Sequence, residues 1–160
     1  MTLRDLHVVE LSDLLDAEQQ MLRELPLLAA RASSDVLRTL FHDCYRDTQR
    51  QIRRLEAVFS SLEERPRTAC CDGMRGLIEE SRHAAWERGP VLDAALTAAV
   101  RRLEHYQIAA YDCAIGLATQ IGHQDAAALL LETLGEERHA DGRLSELLQC
   151  GAEASATSAA

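Results

Sequence analysis

Leucines recur three or four residues apart through the N-terminal stretch, at Leu11, Leu14, Leu15, Leu22, Leu25 and Leu28, with polar residues between them. That spacing draws one apolar stripe along an α-helix. Thr2, answered three positions later by Asp5, supplies a capping box that starts the helix. Pro26 falls inside the stripe and removes a backbone donor, so a kink is expected there, or a break if packing does not hold the two halves in line. Ser33, Ser34 and Asp35 interrupt the pattern with capping chemistry, and a second long stripe follows: Leu37, Leu40, Phe41, Cys44, Leu55, Val58, Phe59 and Leu62. The two helices should lie antiparallel.

From Glu63 to Asp72 the stripe is lost, in a stretch holding Pro66 and the adjacent Cys70 and Cys71. A shorter helix is expected from about Gly73 to Glu87, with Met74, Leu77, Ile78 and Trp86 on its apolar side. Gly89 and Pro90 open a third long helix, with Pro90 suited to the first helical position, and its stripe runs Leu92, Leu96, Val100, Leu103, Tyr111, Ala114, Ala118. Gly122 and His123 break it. A fourth helix carries Leu130, Leu134, Leu144 and Leu148 to a stop near Gly151, leaving a tail with nothing to bury. The reading is therefore one domain over 1–150, with a disordered tail over 151–160. Two helical hairpins joined by a long connection predict an all-α, ferritin-like four-helix bundle whose crossover carries a short extra helix.

Composition supports the helical reading and narrows the partners. The chain is 47% hydrophobic but only 4% aromatic, so its core must be aliphatic. Seventeen basic against 26 acidic residues give a net charge of −9, which leaves no basic face to neutralise a phosphate backbone. Nucleic acid and anionic membranes are poor partners, and a DNA-protecting mini-ferritin would need a basic tail that is missing here. Met1 to Glu10 has no continuous apolar core of signal-peptide length, and no stretch is long enough to span a bilayer. Five cysteines in no metal-finger spacing fit a reducing cytoplasm. Cys70 and Cys71 read either as a redox pair or as a loop thiol beside a partly buried one.

Ionisable residues that interrupt the stripes carry the chemistry, because a buried charge needs a partner or an ion. Glu18 shares the face of Leu11, Leu14 and Leu22. Asp47, Thr48 and Gln51 fill the gap between Cys44 and Leu55; Glu104 and Gln107 flank the line from Val100 to Tyr111; Glu137 and Asp141 fall between Leu134 and Leu144. All four long helices thus turn polar at mid-length, the way carboxylate-bridged iron or manganese pairs are built inside bundles. Glu136 and His139 add a Glu-x-x-His pair. The competing reading of the same glutamates is a solvated face, or salt bridges to Arg46, Arg50, Arg101 or Arg138.

Longer runs add a family resemblance. Asp93-Ala94-Ala95-Leu96, Glu104-His105-Tyr106, Ile108-Ala109 and Tyr111 resemble the most distinctive segment of the YciE/YciF stress-protein family. Leu129-Leu130, Glu132-Thr133-Leu134, Glu136-Glu137 and Asp141 are similar to its closing motif, and Asp13, Ala17-Glu18, Leu25-Pro26, Cys71, Met74 and Leu77-Ile78-Glu79-Glu80 fit as well. The resemblance runs from about Leu3 to Leu148. It implies a stress-induced ferritin-like bundle, often dimeric, related in architecture to rubrerythrin and bacterioferritin, with a di-metal site. Glutamates are usual in the family where this chain has Asp47 and Gln107, and a histidine where it has Cys44. These exchanges remove charge and donor strength from the centre, which His139 would partly restore by turning inward beside Glu136.

Two functions are expected from this. One is a ferroxidase-like di-iron or di-manganese oxidoreductase acting on oxygen or peroxide. Its metals would be held by Glu18, Asp47, Glu104 and Glu136 or Glu137, with Gln51, Gln107, His139 and Asp141 as weaker or outer ligands. Tyr106 and Tyr111 would serve it as hydrogen-bond donors or radical traps, or else simply pack in the core. The other is a non-catalytic homodimeric stress protein in which the carboxylates form a network with arginines.

Overall fold

The computed structural model describes residues 1–67, 69–83 and 88–157, with side chains for all of these but 83 and 150–157. Five helices make up the described chain: α1 (Leu3–Arg31), α2 (Asp35–Ser61), α3 (Asp72–His83), α4 (Gly89–Gln120) and α5 (Gln124–Thr157). α1 starts as its sequence dictates. Thr2 accepts from the Asp5 amide (3.1 Å) while the Asp5 carboxylate accepts from the Thr2 amide (2.7 Å), a complete capping box. Ser34 caps α2 by accepting from the Leu37 amide. α1 passes through Pro26 without a break; Leu25 and Leu28 on either side are fully buried and hold the two halves in one line.

α1 and α2 form one hairpin and α4 and α5 the other, with α1 also packed on α4 and α2 on α5. Direction follows from one contact. Asp93, near the start of α4, accepts from the Ser33 and Ser34 amides of the α1–α2 turn at 2.7 and 2.8 Å. The first residues of α2 and of α4 therefore share an end of the bundle, so these helices run parallel and the connection between them must cross its length. At the opposite end, Gly122 adopts φ 78°, the left-handed conformation that glycine takes at little cost, and the chain reverses from α4 into α5.

The crossover helix α3 lies against α4 and α1. Met74 and Ile78 are buried as expected, and Leu77 is half-buried against the core. α3 is described as far as His83, and Trp86 and the expected end near Glu87 lie outside the described residues. Cys70 is exposed and Cys71 is buried, in line with the loop-thiol reading of the pair. Cys71 Sγ bonds to Asp13 Oδ2 (3.1 Å) and meets the Tyr106 hydroxyl (3.0 Å), which itself donates to Asp13 (2.9 Å). Burial pushes the Cys71 thiol up to about 11, so this triad pins the crossover and keeps the sulfur in its unreactive form. Glu24 of α1, buried, takes Arg82 of α3 at 2.8 Å as a second pin.

One boundary differs from expectation. α5 does not stop near Gly151 but runs on to Thr157. A single helical glycine costs only about 1 kcal/mol, and Ala152, Ala154 and Ala156 are the strongest helix formers.

The crossover pins generate a test. A Cβ added at Gly73 would come within 2.8 Å of Tyr106 Cε2, and that ring is fixed through its hydroxyl. Gly73→Ala should therefore lower stability by about 1–3 kcal/mol, the usual cost of overpacking. Chemical denaturation of the two proteins checks this, with a stabilised Gly73→Ala as the contrary result.

Candidate functional site: an acidic layer at mid-bundle

The apolar interior is not continuous. One cluster, built on Met21, Leu25, Leu28, Leu37, Phe41, Leu96, Val100 and Leu103, fills the crossover end of the bundle. Another, built on Leu11, Leu14, Leu55, Phe59, Tyr111, Ala118 and Leu130, fills the other end. Between them lies a polar layer one to two helical turns deep. It holds Glu18 from α1, Thr48 and Gln51 from α2, Glu104 and Gln107 from α4 and Glu137 from α5, all buried.

Each of the four long helices places its polar residue at the same height because the hairpins are antiparallel and nearly equal in length. Glu18 is completely buried. Its Oε1 accepts from the Tyr111 hydroxyl at 2.6 Å, while Oε2 has no partner. Burial pushes its pKa up to about 8; the Tyr111 and Gln107 side chains oppose the rise, and the Glu104 charge adds to it. Burial raises Glu104 as well, although a hydrogen bond from Glu137 holds it back. Glu137 rises furthest, through burial and then the Glu104 charge, and is the member of that pair that keeps the proton. Glu104 Oε2 and Gln107 Oε1 also lack partners. No arginine hydrogen-bonds to any of the three glutamates among the described residues.

The remaining sequence candidates stand outside this centre. Glu136 is clamped by Arg54, whose Nη1 and Nη2 donate to its two oxygens at 2.7 and 2.8 Å, and Gln51 Nε2 adds a bond at 3.3 Å. Burial alone would raise the Glu136 pKa, but the Arg54 hydrogen bonds outweigh it and the group is held low. Asp141 receives Arg101 at 2.7 and 3.3 Å and His105 at 3.2 Å, and the Arg101 bond keeps its carboxyl below the usual range. Asp47 pairs with Arg50 on its own helix. His139 is exposed and does not turn inward beside Glu136: one residue pair three apart on α5 is split between the Arg54 clamp and solvent. Of nine candidates, the bundle brings Glu18, Gln51, Glu104, Gln107 and Glu137 together inside, and sets Asp47, Glu136 and Asp141 around them as an arginine-neutralised rim.

A narrow cavity of about 10 Å³ opens among Cys44, Thr48, Gln51, Glu104, Gln107 and Glu137, at the lower limit for one water molecule. Carboxylate and amide oxygens are the donors that hard divalent cations take, and the unpartnered oxygens of Glu18, Glu104 and Gln107 are what such an ion would satisfy. The side chains as arranged answer a different need. Among the described residues no three His, Cys, Asp or Glu side chains converge on one ion position, since Glu18 turns to Tyr111 and Glu104 to Glu137. The donor set fits a metal; its present hydrogen bonds are those of a proton-sharing layer.

Arg54 escaped the sequence reading, which considered other arginines as partners for the glutamates. The signal was present, because Arg54 follows Gln51 by three positions and so shares its face of α2.

Fold and layer together define an all-α, ferritin-like bundle with an acidic centre. The chain belongs to the family described as "Domain of unknown function (DUF892)", which matches residues 2–157. It is 40% identical over 149 residues to Protein YciF of Escherichia coli (strain K12), covering 91% of this chain and 90% of that protein. The crystal structure of the E. coli stress protein YciF superposes with a TM-score of 0.91 at 37% identity, over 95% of this chain and 98% of that one. YcfI from Rhodopseudomonas palustris gives 0.88 at 35% identity, over 91% and 94% of the two chains. A protein from Xanthomonas campestris pv. campestris, at 18% identity and a TM-score of 0.76, shares the fold. The chain is thus a member of the YciE/YciF family. Among the described residues no helix is long and apolar enough to cross a membrane.

The Glu18–Tyr111 bond can be tested alone. Tyr111→Phe removes the donor and leaves both Glu18 oxygens unpartnered in the core. Stability should fall by about 1–3 kcal/mol, and the Glu18 carboxyl should move further up. Denaturation curves and carboxyl NMR titration read the two effects, and an unchanged titration would contradict the assignment.

Proposed function

We propose that this member of the YciF-like stress proteins works as a metal-binding bundle, taking iron or manganese into its acidic layer in exchange for protons. The observation that carries the reading is the set of three buried glutamates, from α1, α4 and α5, none of them paired with an arginine among the described residues, with unpartnered oxygens on Glu18, Glu104 and the adjacent Gln107. Glu18, Glu104 and Glu137 would be the anionic ligands, and Gln51 and Gln107 neutral ones. When bound, the metal would supply electron exchange with oxygen or peroxide. The protein's own part is to keep water out, hold the donors at one height, and release protons as the ion enters. Tyr111 positions Glu18 for this.

The Asp47, Glu136 and Asp141 rim is neutralised by Arg50, Arg54 and Arg101, which supports one ion in the inner set before a second. The same arginine pairs favour the competing reading, a non-catalytic bundle whose glutamates simply hold protons. The homodimer and the cytoplasmic setting belong to both readings.

Melting curves with and without ferrous or manganous ion separate the two. A metal-binding layer raises the melting temperature, with protons released. Glu18→Gln and Glu104→Gln, which imitate the protonated side chains, should fold as well as the parent and lose the metal-dependent shift. No bound metal and no shift, under reductant, leaves the non-catalytic reading.

pH gives a further prediction. Glu18 titrates near 4.5 when exposed and near 8 when folded, so the folded protein binds the extra proton between those values. Its contribution to metal-free stability is complete below about 4.5 and is lost as pH rises through about 8. Metal-free protein should weaken over that interval while the metal-induced shift grows. Glu18→Gln should flatten both trends; an equally steep alkaline limb in Glu18→Gln would assign the effect to other groups.

A further inference from the structure

Cys44 stands at the border between the apolar cluster of the crossover end and the acidic layer. It is buried, and Thr48 and Gln51 follow it by four and seven residues, so the three share one inward stripe of α2. On its polar side it lines the cavity of about 10 Å³, together with Glu104 and Gln107 of α4 and Glu137 and the small Ala140 of α5. Glu104 and Gln107 are only 2% and 1% exposed, and Glu104 Oε2 and Gln107 Oε1 have no partners. The Cys71 sulfur is engaged by Asp13 and Tyr106, and the Cys70 sulfur by Asp72 and Arg75. The Cys44 sulfur makes no hydrogen bond among the described residues.

A cysteine on an apolar stripe is ordinarily a small core residue, and among aliphatic neighbours alone Cys44 would be one. Here one wall of its surroundings is made of unsatisfied oxygens. A thiol donates to such oxygens only weakly, and a thiolate would add charge to an acidic layer. A cation satisfies sulfur and oxygen donors at one point, and a coordinating thiol gives up its proton to it. The sulfur also biases the choice of ion. Manganese takes oxygen ligands, whereas zinc and ferrous iron accept thiolate and carboxylate together.

We propose that Cys44 is a sulfur ligand of the mid-bundle metal, beside Glu104 and Glu137, and that it turns the layer toward zinc or ferrous iron and away from manganese. The inference rests on the metal-binding reading above and names the class of ion that this site takes. Binding is an exchange. The Cys44 thiol proton and the proton held between Glu104 and Glu137 pass to solvent as the divalent ion enters, so the layer keeps its net charge. Glu18 keeps its bond from Tyr111 throughout.

The test uses the full chain with Cys70, Cys113 and Cys150 replaced by serine, which leaves Cys44 and Cys71 as its thiols. Cobaltous ion is the probe, added without oxygen and with a phosphine as reductant, because sulfur bound to cobalt gives an intense near-ultraviolet charge-transfer band that oxygen ligands do not. The band should appear, saturate at one equivalent, and vanish when zinc displaces the cobalt. Cys44→Ser and Cys44→Ala should each lose it. Manganese ranks below iron and zinc at almost any site, so the diagnostic quantity is a difference between variants. The excess of the zinc-induced rise in melting temperature over the manganese-induced one should shrink in Cys44→Ala. Zinc-edge X-ray absorption on the parent should find a sulfur neighbour, a reading that needs no Cys44 variant to fold. If the parent takes up metal without the band, or if the band survives in both Cys44 variants, the sulfur ligand is refuted and metal binding by the glutamates stands. No uptake of cobaltous, zinc or ferrous ion at all overturns both.

Discussion

Three carboxyl groups sit inside this protein, and among the described residues none of them is paired with an arginine. Everything else in the bundle arranges itself around that fact. Ionised, Glu18, Glu104 and Glu137 would repel one another across a dry interior, a cost of several kcal/mol for each ion. The fold keeps them because each can hold a proton: Glu137 shares one with Glu104, and Glu18 leans on the Tyr111 hydroxyl. Outside this inner set the policy is the opposite. Asp47, Glu136 and Asp141 are each matched by an arginine, Arg50, Arg54 and Arg101 in turn. The layer therefore has a centre largely neutralised by protons, with one of them shared between Glu104 and Glu137, and an ion-paired rim, which is a stable arrangement without metal and one that a cation can enter by displacing protons.

The polar layer also explains why the core comes in two pieces. Apolar packing at the crossover end depends on α3, which the Cys71–Tyr106–Asp13 triad and the Glu24–Arg82 pair fasten down. Packing at the other end depends on the tight α4–α5 turn at Gly122. Two aliphatic blocks fix the height of the layer between them, so the glutamates meet without any long-range ionic guidance. Family membership, shown by the near full-length match, places this architecture beside that of the E. coli protein YciF.

Much of this was legible in the chain itself. Stripes such as Leu92, Leu96, Val100 and Leu103 carry a clear helical period, and Thr2, Ser34 and Gly122 mark boundaries by chemistry that acts locally. Glu18 and Glu104 could be placed inside because they sit within those stripes. Where periodicity was ambiguous by one residue, it failed: Glu136 and Glu137 are neighbours, yet one is clamped by Arg54 and the other is buried. A helix turns 100° per residue, and only the packing of α5 against α2 decides which of the two points inward. Proton sharing, too, is a property of convergent side chains and has no signature in spacing. The end of α5 was missed for a local reason, a glycine outvoted by alanines.

The most direct measurement of this account is the protonation state of the three inner glutamates in metal-free protein at neutral pH. It can be read by carbon-13 NMR of their carboxyl groups, assigned through the Glu18→Gln, Glu104→Gln and Glu137→Gln variants. Glu18 and Glu137 signals still dominated by the neutral form at pH 7, with Glu104 and Glu137 sharing a single proton and the cluster changing together as the pH is raised, are what the structure predicts. Three carboxylates titrating between pH 4 and 5 with the surface glutamates would contradict it, since that would mean the layer is wet and its geometry is not the one described.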